Sequence, residues 1–173
     1  MHICCAPCAI YPLKKLREEG AEVYGYFFNP NIHPYREFKK RLATLEGYAR
    51  ISSLPMEINK GYDLEVFLKG ALDNGKDRCL FCYRMRLEET FKKGIEERAA
   101  AVTTTLLYSK YQKHDDIRKT GEDLSIKYGI PFLYRDFREG WSEGVEESKA
   151  LDLYRQPYCG CIFSEKERYW RAR

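Results

Sequence analysis

All seven cysteines of this chain fall in three short clusters: Cys4-Cys5-Ala6-Pro7-Cys8, Cys79-Leu80-Phe81-Cys82 and Cys159-Gly160-Cys161. A chain that needed thiols only as small buried side chains would scatter them. Thiols at this spacing hold metal or carry out redox chemistry, so the fold is expected to bring the three clusters together. Seven is also an odd number, which a closed disulfide framework would not leave. The chain opens without a basic segment followed by an apolar signal core. The expected setting is therefore a reducing cytoplasm, where persistent disulfides are rare.

Length and composition narrow the class. The 173 residues suit one domain, 1–173, with room for a real core. With 44% hydrophobic and 32% charged residues the chain reads as soluble, and no apolar run approaches the ~20 residues that cross a bilayer. A net charge of +4, from 30 cationic and 26 acidic side chains, is too small to identify a partner.

Strand-like and helix-like patterns alternate. Met1 to Cys5 reads as a short strand ending at the first cluster, and Pro12 as the first turn of a helix that Gly20 closes. A buried strand is expected over Ala21 to Phe28, broken by Asn29-Pro30-Asn31. Phe38, Leu42, Leu45 and Ala49 recur at helical spacing between Pro34 and Ser52. A short strand, Met56 to Ile58, precedes a helix that Asp63 could cap. The second cluster opens a helical run to about Glu97, and Ala99 to Leu107 reads as an interior strand. A helix from Asp115 to Tyr128, a strand from Ile130 to Tyr134 and a helix from Glu143 to Leu151 complete the alternation. This order predicts βα units and a parallel sheet, with ligands beyond the carboxyl ends of the strands. Cys4, Cys5 and Thr103 to Thr105 sit at two such ends.

Thiolates suit zinc or iron–sulfur. Cys79 and Cys82 have a spacing that lets both reach one centre, and with Cys4 and Cys5 they form a first set of cluster ligands. Cys8, Cys159 and Cys161 remain, to complete that cluster, to hold a second metal or to act as a thiol pair. A single closed zinc site would use only four ligands. His2, His33 and His114 are too few and too dispersed for a histidine-based site. There is no phosphate-cradling glycine loop. Arg78, Arg84 and Arg86 flank the second cluster as phosphate contacts or as a solvated helix face, and Lys110, Lys113 and His114 are equally ambiguous. From Arg155 the tail (155–173) has five cations against two anions, interleaved with Tyr158, Phe163, Tyr169 and Trp170. That composition suits unpaired RNA, and equally a helix that packs its aromatic face inward.

Taken together, CCAPC at 4–8, RCLFCYRMRLEET at 78–90, TTTLL at 103–107, DFREGW at 136–141 and LYRQPYCGCIFS at 153–164 resemble the QueH family of epoxyqueuosine reductases, nearly end to end. The resemblance implies an α/β fold, HUP-like (adenine nucleotide α-hydrolase-like), with three layers, a mostly parallel sheet and the metal site at the carboxyl ends of its strands. The cysteine loop then stands where relatives by fold keep an ATP-pyrophosphatase loop. The implied reaction is two-electron removal of the epoxide oxygen of epoxyqueuosine, at the tRNA wobble position, to give queuosine without cobalamin. A [4Fe-4S] cluster and an adjacent mononuclear metal, iron, are the implied cofactors. The cluster role is carried to Cys4, Cys5, Cys79 and Cys82. The second metal is carried to Cys159 and Cys161, with Cys8 as a competing ligand for either centre and Asp136 or Asp77 as an unranked carboxylate. The implied partners are tRNA carrying epoxyqueuosine and an electron donor such as ferredoxin or flavodoxin.

Two other readings compete. A non-catalytic zinc or iron–sulfur RNA-binding protein would use the clusters structurally. A thiol–disulfide oxidoreductase would use one C-x-x-C and leave five cysteines without a role.

Overall fold

A computed structural model of the chain describes residues 1–170. At its centre, strand β1 (Gly25–Phe27) pairs in parallel with β2 (Met56–Ile58), Gly25 opposite Met56. Single parallel bridges extend the arrangement. His2 bridges Tyr26 on one side and Thr104 on the other, and Val102 bridges Phe132. The spatial order is therefore β2, β1, the segment around His2, the segment 102–104 and the segment around Phe132, all parallel.

The strands are shorter than the sequence predicts. Between Ala99 and Leu107 only Val102 and Thr104 form bridges, because Thr105–Tyr108 wind into a 3-10 turn that the Thr104 hydroxyl caps at Leu106 N. The run Ile130 to Tyr134 likewise contributes one bridged residue.

The first helix differs most. α1 (Ala6–Glu18) begins immediately after extended Cys5, with Pro7 in its first turn, and Pro12 lies inside it. Proline at N1 or N2 loses no intrahelical bond and presets φ, so Pro7, not Pro12, marks the start. Cys8 is thereby on the first helical turn.

α2 (Tyr35–Ile51), α3 (Leu64–Asp73), α4 (Arg78–Glu96), α5 (His114–Tyr128) and α6 (Trp141–Ala150) follow the apolar periodicity closely. α7 (Ile162–Tyr169) ends the described chain. Gly129 closes α5 in the left-handed conformation, φ 70°, which favours glycine. Asp63 stands at the start of α3, but its side chain makes no capping bond.

Helix α1 divides the core. Its Cys5, Cys8, Tyr11 and Leu16 pack with Tyr83, Leu87 and Phe91 of α4 and Ile117 and Leu124 of α5. Its Ala6, Ala9, Ile10 and Leu13 pack instead with Phe27 and with Phe38, Leu45 and Tyr48 of α2. A third, smaller cluster of Phe67, Ala71 and Cys82 is covered by Phe81, Cys161 and Phe163. Among the described residues, no helix is long and apolar enough to cross a membrane.

Candidate metal centre

The seven thiols, all free, occupy two neighbouring places. Cys4, Cys5 and Cys8 bring their sulfurs within 4.8 Å of one another. Cys79, Cys82, Cys159 and Cys161 line one small cavity with Asn31, Tyr83 and Gln112. A larger cleft of about 860 Å³ opens beside Met1, Tyr24 and Pro55 and holds no cysteine.

The triad follows from local backbone geometry. Two adjacent strand residues point to opposite faces. Here the chain leaves the bridged segment at Ile3, is extended at Cys5 and becomes helical at Ala6. The change of conformation brings Cys4 Sγ to 3.8 Å from Cys5 Sγ, and the first helical turn supplies Cys8. Thr105 anchors the loop: its hydroxyl accepts from Cys4 N at 3.0 Å and donates to Cys4 Sγ at 3.2 Å. Gln156 Nε2 donates to Cys5 Sγ at 2.8 Å and lies 3.7 Å from Cys8 Sγ, while its Oε1 is buried without a partner.

Protonation is unequal in this triad. Hydrogen bonds from Cys5 and Cys8 hold the Cys4 thiol well below its ordinary pKa, helped by the Arg86 charge and the Thr105 hydroxyl and opposed by burial. Burial, followed by the bond to Cys4, pushes Cys5 up. Cys8 is pushed up by its bonds to Cys4 and Cys5 and by burial. A bound cation would deprotonate all three, since a coordinating thiol gives up its proton.

The four-thiol cavity is built from two distant segments. On α4, Cys79, Cys82 and Arg86 share one face at spacings of three and four. The other wall is the segment Tyr158 to Cys161. Arg41, itself buried, donates to the carbonyls of Cys159 at 3.0 Å and Tyr158 at 3.1 Å, and its Nε pairs with Glu37 at 2.7 Å. Glu37 also accepts from the Tyr154 hydroxyl at 2.6 Å. His33 N donates to Gly160 O at 2.8 Å, and the Tyr158 hydroxyl donates to the His33 carbonyl. Gly160 has φ 138°, and an added Cβ would stand 3.1 Å from Asn31 Nδ2 and Arg41 Nη1, so glycine is required there.

Around the cavity, Gln112 Nε2 donates to Cys159 Sγ at 3.3 Å and is held from behind by the Tyr83 hydroxyl on its Oε1 at 2.8 Å. Burial pushes Cys82 up to about 12 against the pull of Arg86. Cys79 is raised, again chiefly by burial. Asn31, almost fully buried, has both amide atoms without a partner. Buried polar groups are rarely unpaired unless a ligand, ion or water meets them. Four thiols and an unsatisfied amide around one small cavity fit a metal-containing occupant.

The remaining candidates lie elsewhere. Asp136 is bound by the Arg138 guanidinium, which holds its carboxyl down at about 2, and it caps the 3-10 turn Phe137–Gly140. It is not grouped with any of the thiols. Asp77 is exposed ahead of α4. The three histidines are all buried. Arg84 is exposed, whereas Arg86 is fully buried against the thiols, so the two arginines do not share a solvated face. In the tail, Phe163 packs inward while Tyr169 and Trp170 stay exposed. Arg171 and Arg173 lie outside the described residues.

A sequence model of the family described as "Epoxyqueuosine reductase QueH" matches residues 1–167. The chain belongs to this family. It is 35% identical over 169 residues to the epoxyqueuosine reductase QueH of Dehalococcoides mccartyi, covering 98% of this chain and 93% of that protein. To the protein of the same name from Thermotoga maritima it is 36% identical over 178 residues, covering 97% of this chain and 90% of the relative. The family is one of oxidoreductases, and this chain is an enzyme of that class.

Proposed function

We propose that this chain reduces the epoxide of epoxyqueuosine in tRNA to the alkene of queuosine. The balance is one epoxide, two electrons and two protons giving one alkene and one water. The observation that carries this reading is the convergence of all seven thiols into a triad and a four-thiol cavity beside it. A mononucleotide-binding hydrolase of the same layout would need a phosphate loop at the first strand end; here the triad occupies that position. The all-parallel order of the bridged segments supports a HUP-like, three-layer domain spanning the chain, with its centre at the carboxyl ends of the strands.

The grouping in space favours a particular division of ligands. A cubane cluster takes up to four thiolates, and Cys79, Cys82, Cys159 and Cys161 supply four around one cavity. Cys4, Cys5 and Cys8 would then hold the single metal, with a position left open. This division differs from the one that cysteine spacing and the family resemblance both suggest, in which Cys4 and Cys5 join Cys79 and Cys82. It leaves Asp136 to Arg138. When bound, an iron–sulfur cluster supplies electrons singly, and an open metal site polarises a carbon–oxygen bond and holds the departing oxygen.

The chain's own residues do the rest. Thr105 and Gln156 fix the sulfurs of the triad, and Gln112 fixes Cys159. The unpartnered Gln156 Oε1 and the Asn31 amide offer the polar contacts that a substrate ring or its leaving oxygen would need. The free thiols, the absence of any membrane-crossing helix among the described residues and the tRNA substrate together fit a cytoplasmic enzyme fed by a ferredoxin- or flavodoxin-like donor.

The test is metal and sulfide analysis of anaerobically reconstituted protein, followed by turnover of epoxyqueuosine-containing tRNA with a low-potential reductant. About four irons and four sulfides, one further metal ion and conversion to queuosine are expected. One zinc, no sulfide and no turnover would leave the non-catalytic metal protein as the reading.

A further inference from the structure

We propose that Arg86 is the built-in counter-charge of both thiol groups and tunes the reduction potential of the iron–sulfur centre assigned above to the four-thiol cavity. The proposal rests on the iron–sulfur reading above and adds a positioning residue to it.

Arg86 is 1% exposed, one of two arginines so deeply buried among the described residues. The comparison with Arg41 is direct. Arg41 pairs with the Glu37 carboxylate at 2.7 Å. Arg86 has no carboxylate within ion-pair distance among the described residues. Its Nη2 donates to the neutral Asn29 Oδ1 at 2.7 Å, its Nη1 faces Cys82 Sγ at 3.8 Å, and its Nε has no partner. A guanidinium cannot shed its proton to escape burial, and an unpaired buried cation is strongly unfavourable. The groups that face it are cysteine sulfurs, which become anions when a metal takes the place of their protons.

Its position reaches both groups. Arg86 follows Cys79 and Cys82 on the same face of α4. Asn29, its hydrogen-bond partner, donates in turn to Ile3 O at 2.8 Å, on the residue before Cys4. Burial works against its cationic form, and sulfurs from both groups, Cys82, Cys4 and Cys159, favour it when ionised. A centre held by several thiolates carries net negative charge, and one-electron reduction adds another. A fixed cation in a dry site favours the reduced form and raises the potential, as net charge and hydrogen bonds to sulfur do in iron–sulfur sites generally.

The experiment compares wild type, Arg86→Gln and Arg86→Lys after anaerobic reconstitution. Iron and sulfide are measured first, then the midpoint potential by redox titration followed spectroscopically. Arg86→Gln is expected to shift the potential negative. The expected size is about a tenfold fall in the reduced-to-oxidised ratio at a fixed potential, or about 59 mV for a one-electron couple. Arg86→Lys keeps the charge and is expected to recover most of that shift. A fully loaded Arg86→Gln protein with an unchanged potential overturns the proposal, as does an Arg86→Lys protein shifted as far as Arg86→Gln. If Arg86→Gln does not fold, Asn29→Asp sets a carboxylate against the same guanidinium and neutralises it in place. A negative shift there supports the proposal and no shift overturns it. Wild-type protein that takes up no iron or sulfide overturns the iron–sulfur reading, and this inference with it.

Discussion

The two thiol groups stand side by side and are made in opposite ways. The triad lies within five residues, at one junction between a bridged segment and a helix, and its sulfurs converge because the backbone changes conformation at Cys5. The four-thiol cavity needs α4 and the segment before α7 to meet across most of the chain's length. Nothing local holds Cys159 and Cys161 against Cys79 and Cys82. The Arg41–Glu37 pair, Tyr154 and the backbone of His33 do so. Local geometry survives damage elsewhere, whereas tertiary closure does not. The cavity should therefore lose its contents before the triad does.

The largest effect that would test this difference is expected from Arg41→Ala. Removing one partner of a buried ion pair costs about 3–5 kcal/mol. For a chain of this size, that is a fall in melting temperature of roughly 6–20 °C. The same substitution frees the carbonyls of Tyr158 and Cys159, so sulfide should be lost while a single metal ion is retained. Urea unfolding of the metal-free chain and metal analysis of the reconstituted one read the two effects separately. An Arg41→Ala protein with full sulfide would break the distinction.

Single cysteine replacements sharpen it. Cys159→Ala is expected to abolish the iron–sulfur absorption and reduce tRNA turnover to background, with one metal still bound. Cys8→Ala should do the converse, keeping colour and sulfide while losing the extra metal. If both variants lose the same metal, the seven thiols form one undivided site.

A smaller effect is expected from the amides behind the sulfurs. Partners that orient metal ligands typically contribute 10- to 100-fold in affinity. Gln156→Leu should weaken metal binding at the triad by about that factor, and Gln112→Leu should weaken retention in the cavity. Competition with a chelator measures both, and cross-over between them would show that the groups communicate.

Much of this was legible in the chain, and the exceptions have physical causes. Apolar periodicity marks α2, α4 and α5 closely, because each buries one stripe against the core. The strands were over-read. Val102 to Leu107 has the composition of an interior strand, yet the Thr104 hydroxyl diverts the backbone into a 3-10 turn, a local bond that apolar content does not reveal. Pro12 suits a first turn by its sequence context, but the helix starts earlier, with Pro7 in its first turn and Pro12 inside it. The three cysteine clusters point to metal or redox chemistry, but spacing along the chain says nothing about which clusters meet. Arg86, which the sequence offers as a phosphate contact or part of a solvated helix face, is neither exposed nor on the solvent side. Its position, four residues after Cys82 on a helix, placed it on the thiol face, while Arg84 pointed to solvent. Asn29 and Asn31 look like turn residues, yet both are buried, Asn31 lining the four-thiol cavity and Asn29 bonding Arg86. Gln112 and Gln156 carry no sequence signal beyond their neighbours.

The smallest effect is the share of the pH dependence that His33 contributes on the cavity side, beside the shares of buried His2 and His114. The ring of His33 packs against Phe67 and Tyr62, and neither nitrogen has a partner. Burial lowers its pKa from 6.5 to about 4. Between those values the unfolded chain binds a proton that the folded chain refuses. The stabilisation is fully present above pH 6.5 and is lost as pH falls towards 4. Phe67 also lines the four-thiol cavity, so protonating His33 disturbs that wall and leaves the triad alone. Urea midpoints of the metal-free protein at pH 7, 6 and 5 should fall progressively in wild type. In His33→Leu, which has no proton to take up, the decline should be shallower. Equal slopes in the two proteins would mean that the ring is protonated in place at little cost, and that the cavity wall is wetter than its packing implies.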